Sequence, residues 1–138
     1  MSVSQTSKKI MIVDDDMAIG DILTQAFENE GYKTYYSGTA KEALSILEHV
    51  NIFIFFLDLK LPGMSGIELC RRIKKINPVA YIFAITGYAE MYDLKEARKA
   101  GFDNYYIKPF HVNELVKVAN ASLKDLKRWH DILSRFKK

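Results

Sequence analysis

The sequence predicts a doubly wound α/β fold: a five-stranded parallel sheet with helices on both faces, ending in an extended C-terminal helix. Three observations predict it. The runs Ile10-Met11-Ile12-Val13, Asn51 to Leu57 and Val79 to Ile85 are apolar with almost no polar alternation, the pattern of strands buried on both faces. Segments with apolar residues at helical spacing separate these runs. Strands alternating with such helices need crossovers, which are right-handed and cover both sides of a parallel sheet. Finally, acidic, hydroxyl and amino side chains stand directly after the runs, where ligands bind in sheets of this kind.

The elements follow in order. Met1 to Lys9 is polar, and residues 1–7 are expected to be a disordered lead. Ile10 to Val13 is the first strand. Ala18 to Asn29 is helical, with Ile19, Ile22, Leu23, Ala26 and Phe27 at the required spacing and Gly31 as its stop. Lys33 to Tyr36 reads as the second strand. Thr39 suits the N-cap of a helix carrying Ala43, Leu44, Ile46 and Leu47 on its inner face. Asn51 to Leu57 is the third strand. Gly66 to Ile76 is a helix stopped by Asn77-Pro78, and Val79 to Ile85 is the fourth strand. Glu90 to Ala100 is a helix closed by Gly101, the residue type favoured just past a helix end. Tyr105 to Ile107 is the fifth strand, and Asn113 is expected to cap a last helix running to the chain end.

Composition fits one soluble domain. The 138 residues are 49% hydrophobic and 27% charged, enough for a single core and too few for two comfortable domains. The net charge of +3 is uneven. From His111 onward Lys117, Lys124, Lys127, Arg128, Arg135, Lys137 and Lys138 outnumber Glu114, Asp125 and Asp131. A basic tail suits nucleic acid or an acidic partner, and a solvated helix face explains the bias at least as well. Cys70 is the only cysteine, so no intramolecular disulfide or thiolate metal cluster can form. Its alignment with Ile73 marks it as a small core residue. No run reaches membrane-spanning length and no signal peptide opens the chain. A cytoplasmic protein without a membrane span is expected.

The strand ends supply Asp14, Asp15 and Asp16, then Asp58, Thr86 and Lys108. Two readings of the acidic triad stand open. Clustered carboxylates raise one another's pKa values and call for a cation, and an all-oxygen anionic site suits Mg2+. A solvated turn capping the next helix also uses Asp. Phosphate-binding glycine loops are absent, as are a nucleophile elbow and its triad histidine. His49, His111 and His130 are scattered over helices and helix starts. The remaining set fits phosphoryl transfer onto a carboxylate, with a divalent cation and a lysine offsetting charge and a hydroxyl donating to a phosphoryl oxygen. Asp58, apart from the acidic triad, is the expected nucleophile.

Four motifs, in order and correctly spaced, carry a resemblance over residues 8 to 125. They are Val13-Asp14-Asp15, Leu57-Asp58-Leu59-Lys60-Leu61-Pro62-Gly63-Met64-Ser65-Gly66, Ile85-Thr86-Gly87, and Ala100 to Phe110 with Lys108-Pro109. The chain resembles a response-regulator receiver domain of two-component signalling, similar to the chemotaxis regulators. The resemblance implies a flavodoxin-like sheet of order 2-1-3-4-5. It implies phosphorylation of Asp58 by a histidine kinase or histidine phosphotransfer protein. It places Mg2+ on Asp14, Asp15, Asp58 and the Lys60 carbonyl, with Thr86 and Lys108 on the phosphoryl group. Tyr105 would move with Thr86 as the switch, and Lys108-Pro109 would be cis. Asp16 leaves open whether the acidic pair is Asp14-Asp15 or Asp15-Asp16, and the position of Val13 favours the former. Lys60 and Tyr88 would flank the phosphoryl group and lengthen its lifetime.

The readout implied is the face of helix 4, strand 5 and helix 5, including Tyr92, Lys95, Arg98 and Lys99. The chain is expected to catalyse its own phosphorylation and dephosphorylation and no external turnover. A Mg2+-dependent phosphohydrolase is the alternative, but it needs an acid two residues past the nucleophile, where Lys60 stands. Without a helix-turn-helix segment, direct nucleic-acid binding is not expected. The last helix places Leu115, Ala119, Ser122, Leu126, Trp129, Leu133 and Phe136 at steps of four and three, a heptad-like seam. Its second half, residues 126–138, extends past the receiver domain that the resemblance places at 8–125, and suits a homodimer, a linker, a partner dock or packing back on the domain, with membrane binding a less favoured reading.

Overall fold

A computed structural model describes residues 8–87 and 91–136. The lead 1–7, Tyr88, the expected helix start at Glu90, and Lys137 and Lys138 lie outside these residues, as does the side chain of Tyr92. The elements alternate: β1 (Lys9–Val13), α1 (Met17–Asn29), β2 (Lys33–Ser37), α2 (Ala40–Leu47), β3 (Ile54–Asp58), α3 (Gly66–Ile76), β4 (Tyr81–Thr86), α4 (Met91–Ala100), β5 (Asn104–Ile107) and α5 (Val112–Ser134). All four strand pairings are parallel, and the order is β2-β1-β3-β4-β5.

Strand alternation divides the core into two layers. Met11, Val13, Phe55, Leu57, Ile82 and Ala84 face one side, where α2, α3 and α4 bring Ala43, Leu69, Ile73 and Ala97. Ile10, Ile12, Ile54, Phe56, Phe83 and Ile85 face the other, covered by Leu23 and Phe27 of α1 and Leu115, Ala119 and Leu123 of α5. An aromatic row crosses that second layer. Phe27 lies 5.4 Å from Phe56 and Phe56 lies 5.2 Å from Phe83 (ring centroids), near-stacked contacts that add to burial. Each such fully buried side chain contributes about 1.5–3 kcal/mol.

Local chemistry fixes the helix starts. Asp16 accepts from the Ala18 N–H at 3.0 Å, Thr39 Oγ1 from the Glu42 N–H at 3.1 Å, and Ser65 Oγ from the Glu68 N–H at 3.2 Å. Each satisfies an amide that the first helical turn leaves unpaired. The last helix departs from expectation: it begins at Val112, with His111 in the cap position and no side-chain cap bond, so Asn113 sits inside the first turn. Two strands also shift. The third pairs over Ile54–Asp58 and not from Asn51, and the fourth over Tyr81–Thr86 and not from Val79. Ile52 is buried without belonging to the strand and Val79 is exposed in the preceding turn, so apolarity there marks the base of the sheet and a surface, respectively. The Lys108-Pro109 peptide is cis.

Candidate functional site

Register brings the carboxyl ends of four strands level. Val13 pairs with Leu57, Asp58 with Ile85, and Thr86 with Ile107. Asp14 follows β1 and is fully buried, Asp15 is exposed beside it, and Asp58 closes β3 at 6% exposure. One carboxylate oxygen from each of the three lies within 4.8 Å of the other two. Lys108 enters from just past β5. Its Nζ stands 2.7 Å from Asp14 Oδ2 and 3.1 Å from Asp58 Oδ2. Thr86 ends β4 fully buried.

Backbone donors aim the carboxylates. The Lys60 N–H donates to Asp58 Oδ1 at 3.1 Å, while Lys108 takes Oδ2. The Asp16 N–H donates to Asp14 Oδ1 at 2.9 Å. Asp16 itself turns away to cap α1. The two readings of the acidic triad therefore divide by residue: Asp14 and Asp15 join Asp58, and Asp16 is the capping acid.

The electrostatics follow from this packing. Burial raises the Asp14 carboxyl above its ordinary range, and the nearby Asp58 adds to the rise, against the pull of Lys108 and the Asp16 N–H. Burial pulls the Lys108 ammonium down, but its bonds to Asp14 and Asp58 outweigh that and leave it raised. Lys108 is thus firmly protonated among three acids. The donor set fits a hard divalent cation: carboxylate oxygens cluster within coordinating reach of one centre. Asp14 Oδ2 is buried and has the Lys108 ammonium as its close partner at 2.7 Å.

Two supporting groups, Tyr36 and Gly20, escaped sequence reasoning, and a third, Gly66, is legible there only as part of the loop motif. The Tyr36 hydroxyl donates to the Asp14 carbonyl at 2.6 Å, bracing the acidic turn from the neighbouring strand. Gly20 lets that ring in, since a Cβ there would lie 2.4 Å from Tyr36 Cε1. Gly66 is required more strictly: its Cβ would stand 1.9 Å from the Asp58 carbonyl oxygen. The β3–α3 loop folds back against the strand end only because that side chain is missing. Lys60, besides its N–H bond, reaches Asp93 of α4 at 3.6 Å.

Tyr105 does not join the cluster. It lies half-exposed beside Leu94, Ala97 and Arg98 of α4, while Tyr106 turns to the other layer against Phe83. Among the described residues no histidine joins the acidic group.

Comparison with known proteins adds to this geometry. Residues 10–120 match the sequence profile of the response regulator receiver domain. The chain is 34% identical over 109 residues to sporulation initiation phosphotransferase F of Bacillus subtilis, an alignment covering 79% of this chain and 88% of that protein. It is 34% identical over 126 residues to the regulatory protein VanR of Enterococcus faecium, covering 91% of this chain and 54% of VanR. It therefore spans about half the length of that relative, as it does of the DNA-binding response regulator MtrA of Mycolicibacterium paratuberculosis, at 52%. Among solved structures, a CheY-like receiver domain protein from Methanospirillum hungatei JF-1 superposes with a TM-score of 0.83 at 34% identity, over 87% of this chain and 96% of that one. A response regulator protein from Burkholderia pseudomallei, solved with a phosphorylated aspartic acid, a calcium ion and citrate, gives 0.76 at 26% identity, over 87% of this chain and 71% of that one.

Proposed function

The chain belongs to the response regulator receiver domain family, and from that premise we propose that it is a phosphoacceptor switch of a two-component or phosphorelay system, with Asp58 as the acceptor. The observation that carries this reading is the Asp58 carboxylate, held at Oδ1 by a backbone N–H and at Oδ2 by Lys108, with Asp14 and Asp15 oxygens within 4.8 Å. The phosphorylated aspartic acid of the Burkholderia relative supports it.

The donor is a phosphohistidine on a histidine kinase or histidine phosphotransfer protein. An Asp58 oxygen attacks phosphorus, a P–O bond forms, the P–N bond breaks, and the imidazole leaves with the electron pair. Asp14, Asp15, Asp58 and the Lys60 carbonyl hold Mg2+. When bound, the ion offsets the charge of the incoming phosphoryl oxygens. Lys108 turns from the carboxylates to a phosphoryl oxygen, and Thr86 donates its hydroxyl to another. Hydrolysis reverses the state: water attacks phosphorus, inorganic phosphate leaves and Asp58 is restored. The chain acts on itself and turns over no external substrate. Thr86 and Tyr105 relay the change to the α4–β5–α5 face, where Lys95 and Arg98 lie near Tyr105, and output runs through protein contact there and not through nucleic acid. The setting is the cytoplasm, and among the described residues no helix is long and apolar enough to cross a membrane.

Incubation with Mg2+ and acetyl phosphate, followed by intact-mass measurement, tests the reading. The wild-type chain gains one acid-stable, base-labile phosphoryl group and Asp58→Asn gains none. Equal labelling of both chains overturns it.

A further inference from the structure

The last turns of α5 carry an apolar surface that the domain's own core does not use. Burial along this helix ends at Leu126. Beyond it Trp129, Ile132, Leu133 and Phe136 are exposed, Trp129 at 55% and Phe136 at 81%. At about 100° per residue, Leu126, Trp129, Ile132 and Leu133 form one continuous stripe covering roughly a third of the helix circumference, and Phe136 follows just past the helix end at Ser134. The stripe stands beside a groove walled by Trp129 and Leu133 on one side and by Pro78, Val79 and Tyr81 on the other. Tyr81 opens β4 and its hydroxyl donates to Asp125 of α5. The groove therefore sits at the amino ends of the strands, across the sheet from Asp58.

We propose that the chain forms a two-fold symmetric homodimer through this surface, the Trp129–Leu133 ridge of each copy seated in the other's groove. Ridge and groove lie side by side on one protomer, which is the self-complementary patch an isologous interface needs. The area suffices. Val79, Trp129, Ile132, Leu133 and Phe136 together expose on the order of 600 Å2, most of the ~800 Å2 per partner of a standard-size interface. Arg128 and Arg135 flank the stripe on the helix, while Asp103 of the groove is paired with Lys74 at 3.5 Å and Asp125 is bonded to Tyr81, so apolar contact and not charge carries the fit. A lone tryptophan at the centre of an apolar patch is a typical binding hot spot. No residue of the acidic cluster takes part, so this association stands apart from the phosphoacceptor reading and does not depend on phosphorylation.

Sedimentation equilibrium of the full chain across a concentration series, with Trp129 emission followed in parallel, tests this. The wild type sediments at twice the 15.9 kDa chain mass and its emission moves to shorter wavelength as concentration rises. Asp58→Asn behaves identically. Leu133→Glu and Trp129→Ala, checked for native circular dichroism, weaken association by about thirty-fold or more, the scale of a hot-spot truncation. A wild type that stays monomeric overturns the proposal, as does a dimer untouched by Leu133→Glu or one that forms only after phosphorylation. A monomer whose Trp129 emission shifts on anionic phospholipid vesicles would assign the stripe to a membrane surface and overturns it equally.

Discussion

Lys108 stands 2.7 Å from Asp14 and 3.1 Å from Asp58, and so performs at residue scale the neutralisation that a divalent cation would share. Its loss leaves buried Asp14 without its nearest cation. Lys108→Ala is expected to lower the urea-denaturation stability of the metal-free chain by about 1–3 kcal/mol, the cost of stranding a buried polar partner. The same variant still binds Mg2+, but its labelling by acetyl phosphate slows by about 100-fold, as when one charge-stabilising donor is removed from a reacting site. Cys70 offers a pH test away from the site. Its thiol is fully buried near the Ala100 carbonyl, and burial pushes its pKa up to about 12. Because the raised value disfavours the thiolate, reactivity is suppressed until pH approaches that value. At pH 8 only about one thiol in 10,000 is ionised. Iodoacetamide should therefore leave the native chain unmodified at pH 8 and label it stoichiometrically in denaturant; rapid native labelling would contradict the burial. Asp14, Asp15, Asp58 and Lys108 were legible in the sequence because the strand-end rule needs each strand located only to within a residue. Tyr36 was not, because its bond to the Asp14 carbonyl depends on β1–β2 register across 22 residues of chain.

At the scale of elements, the β3–α3 connection decides where Asp58 points. The Gly66 N–H donates to the Leu59 carbonyl at 3.1 Å and the missing side chain admits the Asp58 carbonyl. Ser65 then caps α3, with Glu68 in its first turn and Lys74 and Lys75 in its last, all favourable to the helix dipole. A methyl at position 66 would overlap the Asp58–Leu59 backbone, which cannot swing aside as a flexible side chain could. Gly66→Ala is expected to cost about 1–3 kcal/mol, the usual penalty of overpacking, measured by urea denaturation, and to reduce Asp58 labelling. Wild-type stability in that variant would mean the loop takes another path. Strand positions show what apolar patterning reports. Asn51 to Leu57 read as strand because it is apolar, yet pairing starts at Ile54; Ile52 is buried as floor of the core and not as a ladder residue. The start of α5 at Val112 was hidden for a different reason: His111 caps it without a side-chain bond, so no capping side chain announced the turn.

For the molecule as a whole, two apolar layers around one parallel sheet hold a charged cluster at its carboxyl edge, while the apolar end of α5 projects from the opposite edge. The core over-determines the cluster, so its repulsion persists in the folded chain. A cation that binds only the native cluster must then stabilise the fold. Mg2+ at ten times its Kd is expected to add about 1.4 kcal/mol in urea denaturation, and Asp15→Ala should remove that gain; an equal gain in the variant would place the ion elsewhere. A parallel sheet covered on both faces was readable from runs of Ile, Phe and Leu and its strand order from the family resemblance, whereas the use of the outer half of α5 was not, since a heptad-like seam serves a core and a partner alike until burial divides it at Leu126. The central claim is that strand ends distant in sequence build one acceptor site at Asp58. Its most direct test is to treat the chain with Mg2+ and acetyl phosphate, reduce the acyl phosphate with borohydride, and sequence the peptides. Homoserine at position 58 is the predicted result. Reduction product at Asp14, Asp15 or Asp16, or none at any aspartate of a chain that has gained a phosphoryl group, would contradict the account.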